Sequence, residues 1–104
     1  NSRKVVPYKL DPEVNLSNED STQSTLIEVI APDRPSLLNN VARVFNEQGL
    51  EVKHARVSTL SRGFKAHDTF YVIDRETGAQ VDSSRFEDIR QALLDSPALR
   101  AFEQ

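Results

Sequence analysis

The sequence predicts a small α+β domain, with one antiparallel sheet covered on a single face by two helices. Three observations predict it. Apolar and β-branched residues cluster in short runs of strand length. Two stretches instead carry apolar residues at helical spacing. The order along the chain is strand, helix, strand, strand, helix.

The elements follow in chain order. Residues 1–12 read as an extended arm, because Pro7 and Pro12 sit among isolated apolar residues with no sustained period. Glu13 to Ser17 predicts a short strand, with Val14 and Leu16 alternating with polar neighbours. Asn18 to Gln23 is polar and turn-rich, a loop. Thr25 to Ala31 is β-branched and apolar up to Pro32, which predicts a mostly buried strand. Asp33 is a good N-cap, and Pro35 is tolerated in a first helical turn. Leu37, Leu38, Val41, Ala42 and Phe45 then form the stripe of an amphipathic helix that Gly49 stops in a left-handed cap.

Leu50 to Leu60 and Phe64 to Ile73 predict a hairpin turning at Arg62-Gly63. That register sets Val57 opposite Asp68 and Ala55 opposite Phe70 on the helix side. His54, Arg56, Ser58, Thr69 and Tyr71 share the other face. Asp74 to Gly78 is a second turn. Asp82 or Ser83 caps a final helix carrying Phe86, Ile89, Leu93 and Leu94, ended by Ser96-Pro97. This order is the split β-α-β core of a ferredoxin-like βαββα sandwich. Residues 98–104 offer little strand character, so the N-terminal strand is expected to take the place of the usual fourth strand and cover the open edge. The domain proper then spans 13–97, with 98–104 a tail.

Composition removes several function classes. The 104 residues include no cysteine, so disulfides, thiolate metal sites and cysteine nucleophiles are excluded. Two histidines without metal-ligand spacing argue against a metal centre. Thirteen basic against sixteen acidic residues give a net charge of −3, unlike a nucleic-acid binder. No apolar run approaches the ~20 residues of a membrane span. The first residue is Asn1, which predicts a fragment with flanking domains elsewhere. No Gly-rich phosphate loop, Ser-His-Asp set or close carboxylate pair emerges, so neither catalysis nor a cofactor is expected. His54 and His67 do not face each other in the predicted hairpin. Arg85, Glu87, Asp88 and Arg90 read as a solvated helix face.

The stretch Ile27-Glu28-Val29-Ile30-Ala31-Pro32-Asp33-Arg34-Pro35-Ser36-Leu37-Leu38 resembles an ACT domain, as do Gly49 to Val57 and Asp68-Thr69-Phe70-Tyr71-Val72. More narrowly, it resembles the ACT domains of bacterial PII-uridylyltransferases and of plant and algal ACT-repeat proteins. In those a short strand and an Asn-containing loop precede the first core strand, as Val14 to Asn18 do here. The resemblance implies a non-catalytic regulatory module that binds an amino acid, glutamine foremost, near a pairing surface. It also implies an intracellular setting, cytoplasm or chloroplast stroma. By resemblance Asp33, Arg34, Pro35, Ser36, Leu37 and Leu38 form the ligand loop. Free amides and the positive dipole end of a helix N-terminus suit a ligand carboxylate there. Ser36 departs from the glycine usual in the family, so it crowds the pocket or contributes a hydroxyl.

A sheet face left uncovered by the helices is open to a second copy. His54, Arg56, Tyr71 and Ile73 are the expected contacts of a homodimer. The competing reading is a ligandless module that dimerises its parent or docks onto a nitrogen-metabolism enzyme. Asp68, a carboxylate on the helix side of its strand, needs a partner.

Overall fold

Strict alternation shapes the sheet. In the computed structural model, which describes residues 11–60 and 65–100, the strands are β1 (Glu13–Ser17), β2 (Thr25–Pro32), β3 (Leu50–Leu60) and β4 (Lys65–Asp74). Every second residue of β2 and β4 is buried: Thr25, Ile27, Val29 and Ala31 on one strand, Ala66, Asp68, Phe70 and Val72 on the other. The helices are α1 (Leu37–Glu47), α2 (Phe86–Leu94) and the short α3 (Pro97–Arg100), with a 3-10 turn at Ser83–Arg85 leading into α2.

The sheet order is β1-β2-β4-β3 and every neighbouring pair is antiparallel. β2 and β3 therefore run parallel with β4 between them, and β1 occupies the outer position beside β2. This is the expected ferredoxin-like α+β arrangement. Val14 lies opposite Val29 and is buried, so β1 carries its apolar phase into the core. The hairpin register is also as expected, with Val57 opposite Asp68, Ala55 opposite Phe70, Ser58 opposite His67 and His54 opposite Tyr71. A bulge between Val52 and His54 breaks that register toward Leu50. The Arg62-Gly63 turn lies outside the described residues, as does all of the predicted arm before Asp11.

The helices close one face of the sheet over β2 and β4, while β3 beyond Leu50 is left almost entirely exposed, its helix-side Ala55 and Val57 included. Leu37, Val41, Val44 and Phe45 of α1 and Ile89 and Leu93 of α2 meet Ile27, Val29, Phe70 and Val72. Phe45 and Phe70 pack edge to face at 5.1 Å. The stripe on α1 is rotated from the one expected. Asn40 and Val44 point inward while Leu38 is 45 % exposed and Ala42 faces solvent. Asn40 can be buried because its amide is satisfied, donating to the Ser36 carbonyl at 3.0 Å and accepting from the Ala98 amide at 3.0 Å.

Three further features differ from expectation. Asp33 does not cap α1; the helix begins only after a turn in which Leu37 N donates to Arg34 O. Pro35 and Ser36 occupy the centre of that turn, and Ser36 has φ −88° and ψ −1°. Proline favours the first central position of such a turn and disfavours helical backbone at the residue before it, which holds Asp33 and Arg34 out of the helix. Next, the charges of α2 and of the turn leading into it are not simply solvated. Arg90 pairs with Glu87 but also donates to the Val14 carbonyl, while Arg85 donates to Asp74 and to the Gln48 carbonyl at the C-terminus of α1. Finally, Pro97–Arg100, reaching into the expected tail, forms α3, whose Ala98 and Leu99 are buried in the core; the tail's residues 101–104 lie outside the described residues.

Two expected punctuation marks are present. Gly49 ends α1 at φ +73°, a conformation that favours glycine. Asp82 accepts from the Ser84 amide at 2.9 Å, and that bond holds its carboxyl below the ordinary value.

Candidate functional site

The junction of β2 and α1 builds a cleft of about 360 Å³, lined by Asp33, Arg34, Pro35, Leu37, Leu38, Val57 and Asp68. That volume lies at the small end of the ligand-pocket range. Five of the six expected loop residues converge here. Ser36 does not line the cleft; it is exposed and gives its carbonyl to the Asn40 amide. The turn at Pro35 leaves the amides of Leu38 and Asn39 without a backbone acceptor among the described residues, at the positive end of the α1 dipole.

Two lining residues come from elsewhere in the chain. Val57 of β3 is 56 % exposed and supplies an apolar wall beside Leu38. Asp68 of β4 is only 1 % exposed. Its Oδ1 accepts from the Ser58 amide at 3.4 Å, a long bond. Burial pushes the Asp68 carboxyl above its ordinary value; the Ser58 amide pulls it down, neighbouring Asp33 pushes it up, and His67 pulls it down. A carboxylate on the otherwise apolar buried phase of its strand is the one sequence signal for it.

The opposite sheet face carries the expected dimer residues. His54, Arg56 and Tyr71 line a shallow depression with Leu26, Glu28 and Thr69, and Ile73 lies half-buried on the same face. The His54 and Tyr71 rings stand 6.1 Å apart, and His67 Nε2 lies 3.3 Å from Glu28. This face has no covering element among the described residues. A third depression, at Gln48, Gly49, Asp74, Arg75, Glu76 and Arg85, is structural. Its arginines are occupied, with Arg75 on Asn46 and the Leu50 carbonyl and Arg85 on Asp74 and the Gln48 carbonyl.

Among the described residues no group of three or more potential ligands is placed to hold a metal ion, and no helix is long and apolar enough to cross a membrane. Fold and site together define a two-layer α+β domain with a small polar-and-apolar cleft at a strand-to-helix junction. No family model matches the sequence. The chain is similar to the bifunctional uridylyltransferase/uridylyl-removing enzyme of Erythrobacter litoralis (strain HTCC2594), 43% identical over 90 residues that cover 86% of the chain. The enzymes of the same name from Stutzerimonas stutzeri (strain A1501) and Pseudomonas aeruginosa (strain LESB58) are 32% and 31% identical over 88% and 89% of the chain. The chain spans about 10% of the length of each of these relatives.

Proposed function

We propose that this chain is an ACT domain, a non-catalytic regulatory module of a uridylyltransferase-like protein in nitrogen metabolism, and that it binds an amino acid. Glutamine is the leading candidate. The observation that carries this reading is the cleft at the β2–α1 junction, where the N-terminus of α1 meets Asp33. A ligand carboxylate suits that terminus, and its ammonium group suits an acidic wall. The similarity to bifunctional uridylyltransferases, spread over most of the chain, supports the regulatory setting. The three relatives are bacterial, which favours the cytoplasm over a chloroplast stroma.

The mechanism is ligand-linked pairing. A ligand that binds the paired form better shifts association, or reorients attached domains, by its differential affinity. The test is a thermal-shift screen of the chain against the twenty amino acids at millimolar concentration. Occupancy at a hundred times the dissociation constant stabilises the folded state by about 2.7 kcal/mol, a rise of several degrees. Asp33→Ala should abolish the shift. A flat screen with wild type sinks the sensor reading.

A flat screen would favour the second reading, a ligandless module that dimerises its parent or docks on a metabolic enzyme. One observation favours it specifically: β3 is exposed along almost its whole length, Val52 and Val57 included. Either reading includes a homodimer through His54, Arg56, Tyr71 and Ile73. Placing a charge there with Tyr71→Glu should shift sedimentation toward the monomer. An unchanged profile would remove this face from the interface.

A further inference from the structure

The amino-acid reading leaves one group of the cleft unused. Asp68 stands between Ala66 and Phe70 on the buried phase of β4, and its carboxylate borders the cavity. The Ser58 amide, at 3.4 Å, is its hydrogen-bond donor among the described residues. A carboxylate removed from water costs stability unless a cation or several donors compensate it. Burial and Asp33 oppose the charged form and prevail over the Ser58 amide and His67, which favour it. The loop contributes Arg34 but also a second carboxylate, Asp33, whose charge opposes that of Asp68. From α1 come the apolar Leu37 and Leu38, and from β3 the apolar Val57. His67, the next residue on β4, belongs to the opposite face and lies against Glu28.

We propose that the Asp68 carboxylate receives the primary ammonium group of a small zwitterionic ligand, and is thereby the residue by which this cleft distinguishes amino acids from their N-acylated analogues. The proposal rests on the amino-acid reading and assigns a specificity determinant within it. An ammonium is a compact triple donor that can satisfy Asp68 and Asp33 together, and the charge repulsion between them becomes attraction to the guest. The burial of Asp68 strengthens that bond, because few waters compete for the carboxylate. Burial and Asp33 raise the proton affinity of Asp68 against the pull of Ser58 and His67, and a cation held at the carboxylate would oppose that rise. An N-acylated ligand carries neither the positive charge nor three protons, and its bulk enters the same narrow corner.

The experiment compares wild type with Asp68→Asn by thermal shift and titration calorimetry. The probes are L-glutamine, the other nineteen amino acids, N-acetyl-L-glutamine and calcium chloride. Wild type should be stabilised by an amino acid and not by N-acetyl-L-glutamine. Asp68→Asn should bind that amino acid about tenfold to a hundredfold more weakly, the loss expected for one charge-assisted bond. Without ligand the variant should melt no lower than wild type at neutral pH, since an asparagine oxygen still accepts from the Ser58 amide. If no amino acid stabilises wild type, the underlying reading fails and this proposal with it. If an amino acid stabilises wild type and Asp68→Asn equally, the reading stands and the role of Asp68 is refuted. Equal stabilisation of wild type by N-acetyl-L-glutamine refutes it without recourse to any variant. Competition between calcium and the amino acid would make the two carboxylates a cation site and also overturn the assignment.

Discussion

Thr25→Val is expected to lower the melting temperature by about 10–20 °C, from a loss of about 2–4 kcal/mol. Thr25 is fully buried at the start of β2. Its Oγ1 donates to Asn18 Oδ1 at 2.6 Å and accepts from the Val81 amide at 2.8 Å. Asn18 Nδ2 completes the ring by donating to the Val81 carbonyl at 2.9 Å. Valine has nearly the shape of threonine but removes the one atom that serves both bonds, so the Val81 amide is left buried without an acceptor. This ring ties the β1–β2 loop to the segment entering α2, two parts of the chain 56 residues apart at Thr25 and Val81. Thr25→Ser keeps the hydroxyl and should recover most of the loss. Calorimetric unfolding of both variants decides the matter. A cost below about 1 kcal/mol for Thr25→Val would mean that water replaces the hydroxyl and the ring is dispensable.

Leu99→Ala carries the second large effect. Leu99 is fully buried although it lies beyond the end of α2, in a helix of four residues. The Asn40 side chain accepts from the Ala98 amide and fixes that turn against α1. Truncating a buried leucine costs about 2–5 kcal/mol, the spread reflecting how far the cavity collapses. Leu38→Ala is the comparison, because Leu38 is 45 % exposed. Its removal should change stability by about 0.5 kcal/mol or less. If denaturant unfolding gives the two variants equal losses, α3 is a frayed end and the core closes at Leu93.

Different kinds of information lie behind the correct and incorrect expectations. The strands were legible because period-two alternation is local, and the β1 strand was legible because an open edge beside β2 needed cover. The hairpin register from His54 to Ser58 followed from a two-residue turn, but the bulge before His54 did not, since nothing local in Glu51-Val52-Lys53 marks an extra residue. Asn40 is polar by type, and nothing in its neighbours along the chain predicts its burial. Only the approach of α3, with an amide to satisfy, makes its burial tolerable. Arg85 and Arg90 depart from a solvated face for a similar reason, since each also donates to a distant backbone carbonyl that no side-chain pattern reveals. The cleft shows the same division. Its loop residues 33–38 are contiguous and could be named together, whereas Val57 and Asp68 enter from two other strands.

The amino-acid sequence by itself determined the element order, the sheet topology and the loop at the β2–α1 junction, because alternation, helical spacing and turn chemistry act between near neighbours. Tertiary structure alone decided which face of α1 turns inward and where the helix starts. It also decided that Leu99 belongs to the core and that a buried carboxylate borders the cleft. Those outcomes depend on groups that meet only after long loops close, where the desolvation of each polar atom is set against the partner that the fold brings to it.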